Sequence, residues 1–138
     1  MIKKKKSTST KVIKKKEKKI DLAEMTRDHI VLGMQEKKAK EIVCIDLRTI
    51  KNAVTDFFVV CHADSRTHID AIAKSVEEIV FKMQGDEPMH KEGQTNSEWI
   101  LLDYINVVVH IFRTEQRDFY GIERLWADAE IKRIASNY

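Results

Sequence analysis

The chain has 138 residues, 43% of them hydrophobic and 34% charged, with a net charge of +3. This balance excludes collagen-like, disulfide-scaffold and wholly disordered chains, and about 118 folded residues suffice for one core burying roughly 65% of their unfolded surface. The net charge hides an asymmetry: residues 1–20 carry ten lysines against one acid, Glu17, whereas residues 21–138 carry fifteen Lys and Arg against twenty-one Asp and Glu.

An acidic body selects basic protein surfaces, and contact with nucleic acid falls to the basic arm. Cys44 and Cys61 each sit in an apolar run as small hydrophobes, which suits a reducing compartment. No window of 18 or more apolar residues occurs, and the N-terminus lacks the apolar core of a secretory signal, so the expected location is cytoplasmic, with no membrane contact.

In chain order, residues 1–20 are too polar and self-repelling to order themselves and read as a disordered basic arm, either a nonspecific clamp on RNA or a solvated tail. Asp21 and Glu24 have capping-box spacing and open a helix in which Leu22, Met25, His29, Ile30, Gly33 and Met34 recur at helical period. Ile42–Leu47 and Phe57–His62 are short buried strands. Asp64 or Ser65 caps a second helix whose Ile69, Ile72, Ala73, Val76, Ile79, Val80 and Met83 form one wide apolar face ended by Gly85. After Pro88, Met89–Glu92 is polar enough for an edge strand. Thr114 is placed to cap a last helix with Phe119, Ile122, Leu125 and Trp126 on one side, mostly as core. The domain is expected over residues 21–130, with 131–138 as a helix end or tail.

Trp99–Tyr104 and Val107–Phe112 read as an antiparallel hairpin around Ile105 and Asn106. The turn chemistry is imperfect, because Asn106 tolerates positive φ and Ile105 does not. Alternation places Trp99, Leu101, Asp103, Val108, His110 and Phe112 on one face, and Ile100, Leu102, Val107, Val109 and Ile111 on the other. The aliphatic face packs on helices. The mixed face has the composition of an interface centre, while Trp99 and Phe112 are equally suited to core beneath the last helix.

Asp46, Asp56 and Asp103 fall at strand ends, where a metal-assisted nucleotidyl-transfer centre would place carboxylates. The spacing opposes this reading: no D-x-D pair, no Gly-rich phosphate loop and no G-K-[ST] occurs. His62 and His68 lack partners at zinc spacing, and Ser65 is better explained as a helix cap than as a nucleophile. No cofactor is expected.

The stretches Thr55–Ala73, Ser97–Phe112 and Arg117–Ala129, with their E-W-x-x-x-D-Y, V-V-H-x-F and R-x-F-Y-x-x-E-x-L-W strings, together resemble the ribosomal silencing factor family, also called Iojap-like. The resemblance implies a mixed α/β domain with an about five-stranded sheet flanked by helices, nucleotidyltransferase-like without catalytic residues. It implies binding to large-subunit ribosomal protein fourteen, which blocks subunit association and represses translation, or a large-subunit assembly role on the same surface. It carries partner contacts to Trp99, Asp103 and Tyr104. Leu101, His110 and Phe112 join them through the shared face, and Glu98 and Ile105 through adjacency. Ile105 stands where the family typically has glycine. An exposed aromatic face and an edge strand also suit a homodimer off the ribosome.

Overall fold

The structure, a computed structural model, describes residues 21–138; the basic arm of residues 1–20 lies outside the described residues. Asp21 caps α1 (Leu22–Glu36) by accepting a hydrogen bond from the Glu24 N–H at 3.2 Å. β1 (Lys40–Asp46) and β2 (Phe57–Ala63) form an antiparallel pair. Ser65 caps α2 (Arg66–Gln84), which stops at Gly85 in the left-handed region, where a residue without Cβ is least strained. Edge strand β3 (His90–Glu92) precedes the hairpin of β4 (Trp99–Asp103) and β5 (Val107–Arg113), followed by α3 (Thr114–Tyr120), α4 (Ile122–Leu125) and β6 (Glu130–Arg133).

The six strands make one mixed sheet in the order β3-β4-β5-β2-β1-β6, with β2 and β5 parallel and the other neighbours antiparallel. On one face α1 and α2 cover Cys44, Phe57, Val59, Ile100, Leu102, Val107, Val109 and Ile111. This is the face that alternation assigned to the helices. The two helices meet closely at Gly33, where an added Cβ would lie 2.7 Å from Val76 Cα, and the Ser75 hydroxyl donates to Gly33 O at 2.8 Å. The opposite face carries Val43, Ile45, Val60 and Phe112 beneath Ile122, Ala129 and the connector residues Leu47, Ile50 and Ala53.

Three expectations change. The sheet has six strands rather than about five, because Glu130–Arg133, on the boundary of the expected tail, pairs with the β1 edge from Asp46↔Glu130 to Val43↔Arg133. A four-residue, mostly charged strand carries almost no alternation signal, and the pairing of its backbone defines it. The expected single last helix is divided at Gly121, which takes φ +58° and ends α3 before α4 begins. Thr114 does not cap: the N-cap is Arg113, and the Thr114 hydroxyl donates instead to Ala63 O at 3.2 Å and Asp64 Oδ1 at 2.5 Å.

The Gly33 contact yields a stability prediction. Gly33→Ala forces a methyl against backbone that has no rotamer to adopt, so the urea midpoint should fall by the equivalent of about 1–3 kcal/mol. An unchanged midpoint would mean that α1 and α2 are free to separate.

Candidate protein-binding face

The sheet face away from α1 and α2 is covered unevenly. α3 and α4 roof its middle, while the outer half, along β4, stays open. Cross-strand register sets Trp99 opposite Phe112, Leu101 opposite His110, and Asp103 opposite Val108, so the expected sorting of side chains between faces holds. Trp99, Leu101 and Asp103 are half-buried, whereas Phe112 and His110 lie fully inside.

Trp99 is held on several sides. Its ring centroid lies 4.4 Å from that of Tyr120 and 4.9 Å from that of Phe112, and its indole N–H donates to His110 Nδ1 at 3.0 Å. An indole N–H is a donor only, so Nδ1 accepts and the His110 proton resides on Nε2. Burial pushes the His110 pKa down from 6.5 to about 4, which keeps the imidazole neutral and able to accept at neutral pH.

Asp103 is fixed at the other end of β4. Its Oδ1 accepts the Ile105 N–H at 2.7 Å, and among the described residues its carboxylate has no other hydrogen-bond or ion-pair partner. The turn beyond it is tight: the Asn106 N–H donates to Tyr104 O at 2.9 Å around Ile105, whose φ is +76°. The Thr55 hydroxyl donates to Ile105 O at 2.8 Å, and the Asp56 and Phe57 N–H groups both reach Asn106 O. The hairpin tip is thereby locked to the start of β2.

Three of the residues expected to make partner contacts lie buried in the free chain. Tyr104, at 7% exposure, packs into the core beneath the helices, and its hydroxyl has no hydrogen-bond partner among the described residues. His110 and Phe112, at 4% and 0%, are buried against Trp99, their ring centroids 5.8 and 4.9 Å from its own. Glu98 and Ile105 are exposed, and the Glu98 backbone carbonyl accepts the Arg113 N–H. Alternation established which side chains share a face, but not that a short helix would cover part of it.

α3 and α4 supply side chains that sequence reasoning placed mostly in the core. Phe119 and Leu125 are 77% and 74% exposed, and Tyr120, in tilted contact with Trp99, is 43% exposed. The signal was the glycine after Phe119-Tyr120: a left-handed stop there rotates the two ends of the apolar stripe out of register. Trp126 stays half-buried against Phe58. Between β4 and α3 a hollow of about 170 Å³ is lined by Gly93, Asn96, Glu98, Trp99, Gln116 and Tyr120.

Arg117 anchors this roof. Its guanidinium is buried, pairs with Glu123 at 2.9 Å, and donates to Glu41 O at 2.7 Å and His62 Nδ1 at 2.9 Å. Burial, followed by the Arg117 charge, lowers the His62 pKa, which keeps that ring an acceptor.

Of the three strand-end carboxylates, Asp46 and Asp103 lie on opposite faces of the sheet. Asp46 pairs in register with Phe57, on the helix-covered face, and is bound by Arg48 at 2.8 Å. That hydrogen bond holds the Asp46 carboxyl below its usual range. Asp103 projects from the opposite face, so Asp46 and Asp103 do not form a carboxylate pair. Among the described residues no group of three or more His, Cys, Asp or Glu is placed to hold a metal, and no helix is long and apolar enough to cross a membrane.

Residues 16–137 match the family model described as ribosomal silencing factor during starvation. A ribosomal silencing factor of Halalkalibacterium halodurans is 35% identical over 99 residues, spanning 72% of this chain and 83% of that one. The mouse protein named mitochondrial assembly of ribosomal large subunit protein 1 is 25% identical over 115 residues, spanning 79% of this chain and half of that protein. A crystal structure from Chromobacterium violaceum superposes with a TM-score of 0.72 at 28% identity, covering 78% of this chain and 88% of that one.

The Trp99–His110 pair predicts a pH dependence. Between pH 6.5 and about 4 the unfolded chain takes up a proton that the folded His110 refuses, so this contribution is complete above pH 6.5 and is lost as pH falls towards 4. The full difference is about 3 kcal/mol. His62 acts in the same direction, so the informative quantity is wild type minus His110→Gln. Urea midpoints measured from pH 7 to 4 should fall less steeply in the variant, and parallel slopes would contradict the assignment.

Proposed function

The chain belongs to the ribosomal silencing factor family, and from that membership and the shape of its open face we propose that it binds the large ribosomal subunit through ribosomal protein fourteen and, once seated there, excludes the small subunit. The reading requires no bond to be made or broken. A domain standing on the joining surface represses translation by occupying space, and its efficacy depends on affinity and residence time rather than on chemistry.

The observation that carries the proposal is the continuity of Phe119, Tyr120, Trp99, Leu101 and Asp103 across α3 and β4. Aromatic anchors beside a fixed carboxylate are typical of the centre of a protein interface. His90, Glu92 and Glu98 flank this strip, so acidic groups outnumber basic ones around it, and a basic ribosomal protein is its electrostatic complement. The ten lysines of residues 1–20 suit neighbouring RNA phosphates, a salt-sensitive contact. In the absence of ribosomes the same apolar strip is available to a second copy of the chain.

A second reading, that the protein assists assembly of the large subunit from the same face, draws on the name of the mouse relative. The two differ in their effect on mature particles. Silencing predicts that adding the protein to purified large and small subunits lowers the joined fraction in a sucrose gradient. Assembly alone predicts an unchanged joined fraction and an altered precursor profile in cells lacking the protein.

Asp103→Asn tests the site itself. The amide oxygen still accepts the Ile105 N–H, so the turn is retained while the charge is removed. Large-subunit affinity should fall roughly tenfold and its salt dependence should flatten. Phe119→Ser, at an exposed position, should also weaken binding with little change in Tm. Undiminished binding by both variants would remove this face from the proposal.

A further inference from the structure

Ile105 is the most conspicuous conformational anomaly on the open side of the molecule. A β-branched residue at φ +76°, in a three-residue turn closed by the Asn106 N–H on Tyr104 O, sits where its Cβ crowds the backbone and where glycine fits freely. Neither tertiary hydrogen bond at this residue uses its side chain. The N–H reaches Asp103 Oδ1 and the carbonyl receives the Thr55 hydroxyl, and a glycine would keep both. The side chain is 55% exposed, so its burial does little to offset the strain.

A second exposed apolar residue neighbours, in sequence, the threonine that bonds Ile105. Val54, 90% exposed, directly precedes the Thr55 that bonds Ile105. The tip therefore displays aliphatic surface that the fold neither buries nor needs, attached through the Ile105 N–H to the carboxylate of the proposed interface.

We propose that Ile105 and Val54 form an aliphatic knob that extends the ribosome-facing site, seated in an apolar hollow on the same basic protein whose cation pairs with Asp103. This rests on the reading of the open face given above. The backbone strain at Ile105 is then retained because its side chain contributes to affinity in the complex, as strained residues at functional sites do. The knob also sets specificity: a partner lacking the hollow would meet a bulky tip rather than a flush turn.

The test compares full-length variants by thermal unfolding and by co-sedimentation with purified large subunits, with Asp103→Asn as reference. Ile105→Gly is expected to raise Tm by about 3–6 °C while weakening large-subunit binding roughly fivefold or more. Val54→Ser is expected to leave Tm unchanged and weaken binding by a smaller factor. Wild-type binding by Ile105→Gly alongside weakened Asp103→Asn overturns the knob and leaves the open face standing. Wild-type binding by both overturns the knob together with the face. A lowered Tm in Ile105→Gly also overturns the proposal, because the side chain would then be serving the fold.

Discussion

The parallel pairing of β2 with β5 is the constraint on which the rest of the structure depends. It runs without a break from Phe57↔Val107 to Ala63↔Arg113, and the side chains on both faces are almost wholly apolar. Such a pair requires cover on both sides. α1 and α2 close one side completely, drawn together at Gly33. The other side is roofed by α3 and α4, and because Gly121 stops α3 after seven residues the roof ends at Trp99. The open strip along β4 follows directly from a roof shorter than the sheet it covers.

What that strip presents is held in place before any partner arrives. The Trp99 ring is fixed by a hydrogen bond to a neutral His110 and by contact with Tyr120; the Asp103 carboxylate is fixed by the turn N–H; the roof is tied to β1 and β2 through buried Arg117. Side chains already ordered lose little freedom on binding, so more of the interaction energy remains as affinity. The buried residues His110, Phe112 and Arg117 thus act on the surface through what they support.

Much of this arrangement was legible in the sequence. The D-x-x-E cap of α1, the wide face of α2 with its terminal glycine, and the sorting of hairpin side chains all follow from local chemistry and periodicity, which short-range sterics enforce. Even the awkwardness of Ile105 could be read from its Cβ branching in a turn position that wants positive φ. The exposure of each face could not. Alternation says that Trp99, His110 and Phe112 point the same way, but whether water or a helix meets them depends on how far α3 reaches, a tertiary property. Phe119 and Leu125 are exposed for the related reason that one glycine, Gly121, changes helical phase. β6 is not legible in composition, because Glu-Ile-Lys-Arg becomes a strand through pairing with an edge and through Ile131 beneath the roof.

In the proposed complex the half-roofed face, and not the helical one, meets the ribosome. Hydroxyl-radical footprinting of the protein with and without purified large subunits reads this directly, residue by residue. Reduced oxidation of Trp99, Leu101, Phe119, Tyr120 and Leu125 is expected in the complex, with Phe81 and Met83 on α2, both exposed in the free protein, oxidised as before. Protection of Phe81 and Met83 with no change at Trp99 and Phe119 would contradict it.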